Sequence, residues 1–232
     1  STASPALMER ALRHLSTWLH EATGEKAFIL IDEYDTPIHD AYGDDKRYDE
    51  VVGFFRNFLS AGLKDNPHIE KGVLTGILRV AKESMFSGLN NLKVYSVLRE
   101  PFATSFGFTE AEVERLCADA KLSAAQRDEV RAWYNGYRFG GQIVYNPWSV
   151  LSYLDDTQKR ARPYWVNTGS DTLIRKLLID AGLSIEADVE ALLDGGSIVK
   201  PIDEHTVLRD IATKRDSVFS FLLMSGYLRA DQ

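Results

Sequence analysis

The sequence has one cysteine, no long hydrophobic run and no net positive charge, and each of these shortages excludes a class of protein. Its only cysteine is Cys117, so no disulfide can form within the chain, which fits a reducing compartment. The longest apolar stretches, such as residues 219–224, are far shorter than the roughly 20 residues that a membrane helix needs. The net charge of -7 creates no overall attraction to nucleic acid or to an anionic membrane. We therefore expect a cytoplasmic protein that binds neither through this chain.

The first residues lack both an initiator methionine and the basic, apolar pattern of a signal peptide. We therefore expect the sequence to begin inside a longer protein. With 232 residues, 44% of them hydrophobic, the chain can bury one substantial core or a core with a small satellite domain.

Hydrophobic periodicity divides the chain near residue 108. Before that point, helical patterns over residues 5–21 and 49–63 alternate with short apolar runs that read as strands. The run Ala27–Ile31 is continuous, which is typical of a strand buried on both faces of a parallel sheet. Further strands are predicted at residues 72–77 and 94–98. This order favours right-handed crossovers and an α/β fold, a parallel sheet with helices on both sides.

After residue 108 the helical patterns dominate, and most helices start with a recognisable cap. Thr109, Ser123 and Pro147 precede or open three of them. We predict an α/β domain over residues 1–107, followed over 108–232 by a helical lid and a C-terminal, winged-helix-like bundle. The predicted helices cover residues 110–120, 124–136, 147–155, 170–181, 185–194 and 217–226, with a short extended piece at 197–202.

The chemistry is concentrated where the first apolar strand ends in acid, at Asp32 and Glu33. The carboxyl edge of a parallel sheet is where ligands of open α/β folds bind. An aspartate there can hold Mg²⁺, usually through water, and the next acid can orient or deprotonate an attacking water. Thr75 ends the second apolar run and could place a hydroxyl beside the same site, and Arg79 could add positive charge. Alternatively, Asp32, Glu33 and Asp35 could simply form a solvated turn after a strand.

Several blocks resemble the predicted AAA-ATPase-like family, which is found in many bacterial proteins and is often fused to a PD-(D/E)xK nuclease-like domain. The blocks occur in the family's order and span nearly the whole chain. They are FILIDEYDTPI from Phe28, TGILRVAKESMFSGLNNL from Thr75, FGFTEAEV from Phe106, WYNGYRF from Trp133, YNPWSV from Tyr145, YWVNTGS from Tyr164 and GYL from Gly226.

The resemblance implies a core of the P-loop NTPase type followed by a helical lid, with ATP and Mg²⁺ as ligands. Asp32 matches the magnesium (Walker B) aspartate, Glu33 the catalytic glutamate and Thr75 the polar sensor. Pro147 resembles a lid proline that packs on adenine in related ATPases. A proline in the first turn of a helix is also sufficient to explain that residue.

One part of the family pattern is missing. The family carries a glycine-rich phosphate loop with Gly-Lys-Ser/Thr upstream of the acidic strand, and this sequence contains no Gly-Lys dipeptide. Without those backbone amides and that lysine a triphosphate loses its main contacts. We therefore expect ATP and Mg²⁺ to bind, and ATP to be hydrolysed, only in a full-length protein that supplies the loop.

Two alternatives to the ATPase stay open. The chain could be a non-catalytic module that binds a protein partner or forms homo-oligomers. It could be a metal-dependent nuclease that uses Asp32, Glu33 and Asp35 as ligands, although it lacks a convincing carboxylate-x-Lys strand. The aromatic residues at 133–148 could form a base-stacking platform, but their helical spacing and the acidic background favour a lid core.

Overall fold

The computed structural model describes residues 4–77, 89, 92–165, 172–206, 208, 214 and 216–231. The chain folds as two compact units. The first comprises Ser1–Lys93 and Arg175–Phe221, and the second Val94–Ile174 and Leu222–Gln232. The fold is mixed α/β, with one parallel and one antiparallel pair of strands in the part that is described. The domain boundary predicted near residue 108 stays a prediction, as does the winged-helix-like arrangement.

The first unit begins with two helices where the sequence predicts one. The chain breaks at Arg10, whose φ of -100° and ψ of 4° are not helical, and Gly24 ends the second helix in the left-handed conformation. Asp44 caps the long fourth helix by accepting a hydrogen bond from the Arg47 amide at 3.1 Å. The elements are α1 Pro5–Glu9, α2 Ala11–Thr23, β1 Ala27–Ile31, α3 Thr36–Asp40, α4 Asp45–Leu63 and β2 Ile69–Leu74.

Strands β1 and β2 pair in parallel, as the alternation of strands and helices predicts. Ile29 is buried, but its neighbours Phe28 and Leu30 are 63% and 72% exposed. The prediction that β1 is buried on both faces is therefore wrong for the described residues. Successive side chains of a strand point to opposite faces, and only the face of Ile29 is covered here.

The strand predicted at residues 94–98 is also wrong. This segment is irregular, and Val97 accepts a hydrogen bond at 2.8 Å from the amide of Gly140, so it packs within the second unit instead of extending the parallel pair. Strand β2 ends at Leu74, three residues before the predicted end.

In its described residues the second unit contains the helices and the hairpin of residues 110–155. Its elements are α5 Glu110–Asp119, α6 Ala124–Tyr134, β3 Asn135–Phe139, β4 Gln142–Tyr145 and α7 Pro147–Asp155. Thr109 and Ser123 form complete capping boxes, so the predicted helix starts are confirmed. The helix predicted to reach residue 136 stops at Tyr134, because the chain enters β3 there. The core contains Val113, Cys117, Leu122, Val130, Tyr134, Tyr145, Val150 and Tyr153.

The remaining described helices follow the predicted pattern closely. They are α8 Thr172–Ala181, a short 3-10 turn Gly182–Ile185, α9 Glu186–Leu193 and α10 Ser217–Met224. Residues 197–202 are irregular, and Lys200 bridges Asp188 and Asp216 at 2.6 and 3.2 Å. Among the helices that the structure describes, none combines the length and the apolar character needed to cross a membrane.

Candidate functional site

The carboxyl ends of β1 and β2 lie side by side. The last paired residues are Ile31 and Leu74, and the amide of Thr75 donates to the carbonyl of Ile31 at 2.9 Å. The amide of Tyr34 in turn donates to the carbonyl of Thr75 at 3.0 Å. These bonds extend the parallel ladder past both strands, so they hold the acidic turn after β1 against the residue that follows β2.

The hydroxyl of Thr75 joins the two acids. It donates to Oδ1 of Asp32 and accepts a hydrogen bond from the Glu33 amide at 3.2 Å. The same amide lies 3.1 Å from Asp32 Oδ1. We call Asp32, Glu33 and Thr75 the strand-end cluster. One hydroxyl therefore fixes both the carboxylate of the first acid and the backbone of the second.

Glu33 has an uncommon backbone conformation. Its φ is 48°, in the left-handed region that residues with a side chain seldom adopt. Its carboxylate accepts a hydrogen bond from the Thr36 hydroxyl at 3.3 Å. Both Asp32 and Glu33 are exposed. Backbone strain of this kind concentrates at functional sites, and here it places two neighbouring carboxylates where a ligand can reach them.

Asp35, two residues after Glu33, is the buried acid of this turn. Its side chain is buried, and its Oδ2 lies 3.2 Å from Nε2 of His39, within ion-pair distance but outside hydrogen-bond geometry. A Cβ atom on Gly76 would lie 2.7 Å from Asp35 Oδ1, so the two chain segments meet closely enough to require glycine. The interpretation of all three acids as a solvated turn is wrong for Asp35.

The donor set fits a magnesium ion of the kind that accompanies a nucleotide. Among the described residues no three His, Cys, Asp or Glu side chains are grouped as metal ligands. Mg²⁺ commonly takes one or two carboxylates and completes its shell with water and phosphate oxygens. Both hydrogen bonds to Asp32 fall on Oδ1, and Oδ2 accepts none from any residue in the described ranges. Asp32 can therefore bind such an ion through water, but the cluster alone cannot surround it.

Arg79 and Pro147 are the other two predicted site residues. Arg79 falls outside the described residues. Pro147 is the first residue of α7 in the second unit, and Asn146 caps that helix by accepting a hydrogen bond from the Ser149 amide at 2.9 Å. The local structure thus explains this proline without a ligand.

The aromatic residues of the second unit divide between core and surface. Tyr134 and Tyr145 are buried, but Trp133 and Trp148 are 54% and 60% exposed, so the prediction of a lid core is wrong for these two tryptophans. Trp133 lies in a groove of about 200 Å³ whose aromatic lining also includes Tyr134, Tyr137, Trp165 and Tyr227. We call this the aromatic groove. Asn146, Ser149 and Arg229 line it as well.

The hairpin under the groove was missed by the sequence analysis. Gly140 and Gly141 have φ of 50° and 80°, the conformation that a tight two-residue hairpin turn requires. The Gly-Gly dipeptide between two short apolar segments was the available signal.

Comparison with known proteins supports the resemblance over part of the chain. Residues 3–86 match the family described as "Predicted AAA-ATPase". An uncharacterized protein in the vnfD 5' region of Azotobacter chroococcum mcd 1 is 40% identical over 214 residues. That match covers 92% of this chain but 39% of the relative, so the chain spans well under half of the relative's length. No solved structure matches the chain significantly.

The matched residues include β1, β2 and the whole strand-end cluster. Over residues 3–86 the chain is therefore similar to the predicted AAA-ATPase family.

Proposed function

We propose that this chain carries the magnesium-binding and water-activating part of an ATPase site, and that a phosphate-binding loop elsewhere in the full-length bacterial protein completes the site. The proposal is supported chiefly by the Thr75 hydroxyl, which holds Asp32 and Glu33 together at the ends of two parallel strands. We place the activity in the cytoplasm, in line with the single buried cysteine and the ordinary soluble composition.

Each member of the cluster has a separate task in this proposal. Asp32 would hold a magnesium ion through water, and such an ion would neutralise phosphate charge. Glu33 orients a water molecule for attack on the γ-phosphorus and accepts a proton from that water. The bond between the γ-phosphorus and the bridging oxygen breaks, and the oxygen leaves with ADP. Thr75 holds the carboxylate of Asp32 and the backbone amide of Glu33. Pro147 is a candidate contact for adenine, and Arg79 a candidate cation for the phosphates.

The isolated 232-residue chain is not expected to bind Mg-ATP tightly. It has no Gly-Lys dipeptide, and the amides and lysine of a phosphate loop supply most of the contacts to a triphosphate. Titration calorimetry on this chain should therefore show no binding at submillimolar concentration.

The experiment that tests the function uses the protein encoded by the complete gene. In the Glu33→Gln variant we expect ATP hydrolysis to fall by roughly 100-fold or more, the range typical of a lost general base, with ATP affinity nearly unchanged. Glu25→Gln is the matched control, because Glu25 is an exposed glutamate just before the opposite end of β1. Wild-type turnover in the Glu33→Gln variant would refute the proposal.

A non-catalytic interaction module is the second candidate. The observation that favours it is the exposure of Phe28 and Leu30 on the sheet face. The gene sequence upstream of Ser1 separates the two candidates. A Gly-x4-Gly-Lys-Ser/Thr motif there supports the ATPase, and an initiator codon directly before Ser1 supports the module.

A further inference from the structure

We propose that the aromatic groove of the second unit binds a proline-rich segment of another polypeptide in the polyproline II conformation. The inference is independent of the ATPase proposal, because it uses no residue of the strand-end cluster. Three features of the groove carry it: exposed rings, hydrogen-bond donors without an acceptor and a small volume.

The rings of the groove stay accessible after the unit has folded. Trp133 is more than half exposed, and Trp165 and Tyr227 are nearly half exposed. The rings of Trp165 and Tyr227 meet edge to face, with centroids 6.0 Å apart and an interplanar angle of 82°. This arrangement leaves two differently oriented aromatic walls. Proline-rich ligands dock on aromatic-lined grooves of this kind, where the pyrrolidine rings pack between aromatic side chains.

Two side chains that line the groove carry hydrogen-bond donors without an acceptor in the described part of the chain. Oδ1 of Asn146 accepts the Ser149 amide, while no described residue accepts a hydrogen bond from Asn146 Nδ2 or from Trp133 Nε1. Donors on a groove that no protein group accepts are free to bind the acceptor atoms of a ligand.

A polyproline II segment supplies what these donors lack. Its backbone makes no internal hydrogen bonds, so its carbonyl oxygens are free acceptors, and proline contributes no N–H that would need an acceptor in return. The groove is thus complementary to such a segment in both ring packing and hydrogen bonding.

Size and charge argue against other ligands. The groove volume of about 200 Å³ is below the roughly 300–1,000 Å³ of typical small-molecule pockets. Arg229, the cation of the lining, already contacts Asp231 at 3.2 and 3.4 Å, so it is neutralised toward a phosphate. A second copy of this chain is also a poor ligand, because its closest prolines, Pro147 and Pro163, are 16 positions apart (163 minus 147).

The test is a titration of the 232-residue chain, labelled with ¹⁵N at tryptophan, with an acetylated decamer of proline. The four indole N–H signals report separately on Trp18, Trp133, Trp148 and Trp165 once each is assigned by substitution. We expect saturable shifts at Trp133 and Trp165, none at Trp18 or Trp148, and none with a Gly-Ser decamer of equal length.

A matched pair of variants locates the binding surface. Trp133→Ala should weaken binding about tenfold or more, as expected for a central aromatic anchor. Trp148→Ala should bind like the wild type, because Trp148 is equally exposed in the same unit but does not line the groove. If Trp133→Ala fails to fold, the wild-type shifts at Trp133 and Trp165 still test the inference.

Three results would overturn the inference. These are an absence of shifts with the proline decamer, equal shifts at all four tryptophans, and a stronger response of Trp133 and Trp165 to adenosine than to the peptide. The last outcome would assign the groove to a purine base instead.

Discussion

Replacement of Thr75 by valine tests the strand-end cluster by removing one hydroxyl at nearly constant volume. That hydroxyl makes two hydrogen bonds, one to the Asp32 carboxylate and one from the Glu33 amide at 3.2 Å. A net contribution of about 1 kcal/mol is usual for each bond, and more for a charged partner. The site is exposed, however, so water replaces much of what is lost. The Glu33 amide also keeps Asp32 Oδ1 as an acceptor at 3.1 Å.

We therefore expect Thr75→Val to lower the free energy of unfolding by about 1 kcal/mol in total, or the melting temperature by about 2–4 °C for a chain of this size. Thr75→Ser is the control, since it keeps the hydroxyl and loses only a methyl group. Thermal and urea unfolding of the 232-residue chain, followed by far-UV circular dichroism, give both values. In the complete protein the same variant should lower ATP turnover, because Glu33 is less firmly placed. If Thr75→Val proves at least as stable as Thr75→Ser, the hydroxyl does not hold the cluster together.

Three further predictions concern other residues of the two units. Gly76→Ala should disturb the acidic turn, because the new Cβ would lie 2.7 Å from Asp35 Oδ1; a lower melting temperature than wild type checks this. Burial, followed by the hydrogen bond to Glu110, raises the pKa of Tyr145 to about 12. Because this pKa is raised in the folded state, the neutral phenol stabilises the fold fully below the ordinary tyrosine pKa near 10, and this stabilisation is lost as the pH rises through about 12. Urea unfolding of the wild type should therefore show the free energy of unfolding falling between about pH 10 and about pH 12, and falling less in Tyr145→Phe. Burial also raises the pKa of the Cys117 thiol, so a thiol reagent should modify it only on unfolding.

Local signals allowed much of the fold to be predicted from the sequence. The capped starts of α5 and α6 depend on Thr109 and Ser123 and their neighbours within three residues, so the pattern contains the whole interaction. Strand β1 was predicted because five apolar residues end in acid. Its exposed face could not be predicted, because the exposure of Phe28 and Leu30 depends on which other segments cover the sheet.

The candidate site divides in the same way. Parallel pairing predicts that Thr75 follows the strand next to Asp32, since the ends of parallel strands meet at one edge. The hydrogen bonds of its hydroxyl and the left-handed backbone of Glu33 depend on the turn geometry, which the residue types alone do not specify. The burial of Asp35 likewise depends on its approach to Gly76, 41 positions away (76 minus 35). The Gly-Gly dipeptide at Gly140 was a local signal for the hairpin. The helix predicted over residues 124–136 instead extended into the start of β3.

The central claim is that Asp32 binds magnesium and Glu33 activates water. The magnesium dependence of ATP hydrolysis by the complete protein tests this claim most directly. Turnover at saturating ATP is measured across a range of Mg²⁺ concentrations for the wild type, Asp32→Asn and Glu33→Gln. We predict that high Mg²⁺ restores part of the activity of Asp32→Asn, because its defect is in metal affinity, and restores none in Glu33→Gln, whose defect is in activating water. An identical magnesium response in both variants, or full activity in either one, would contradict the account.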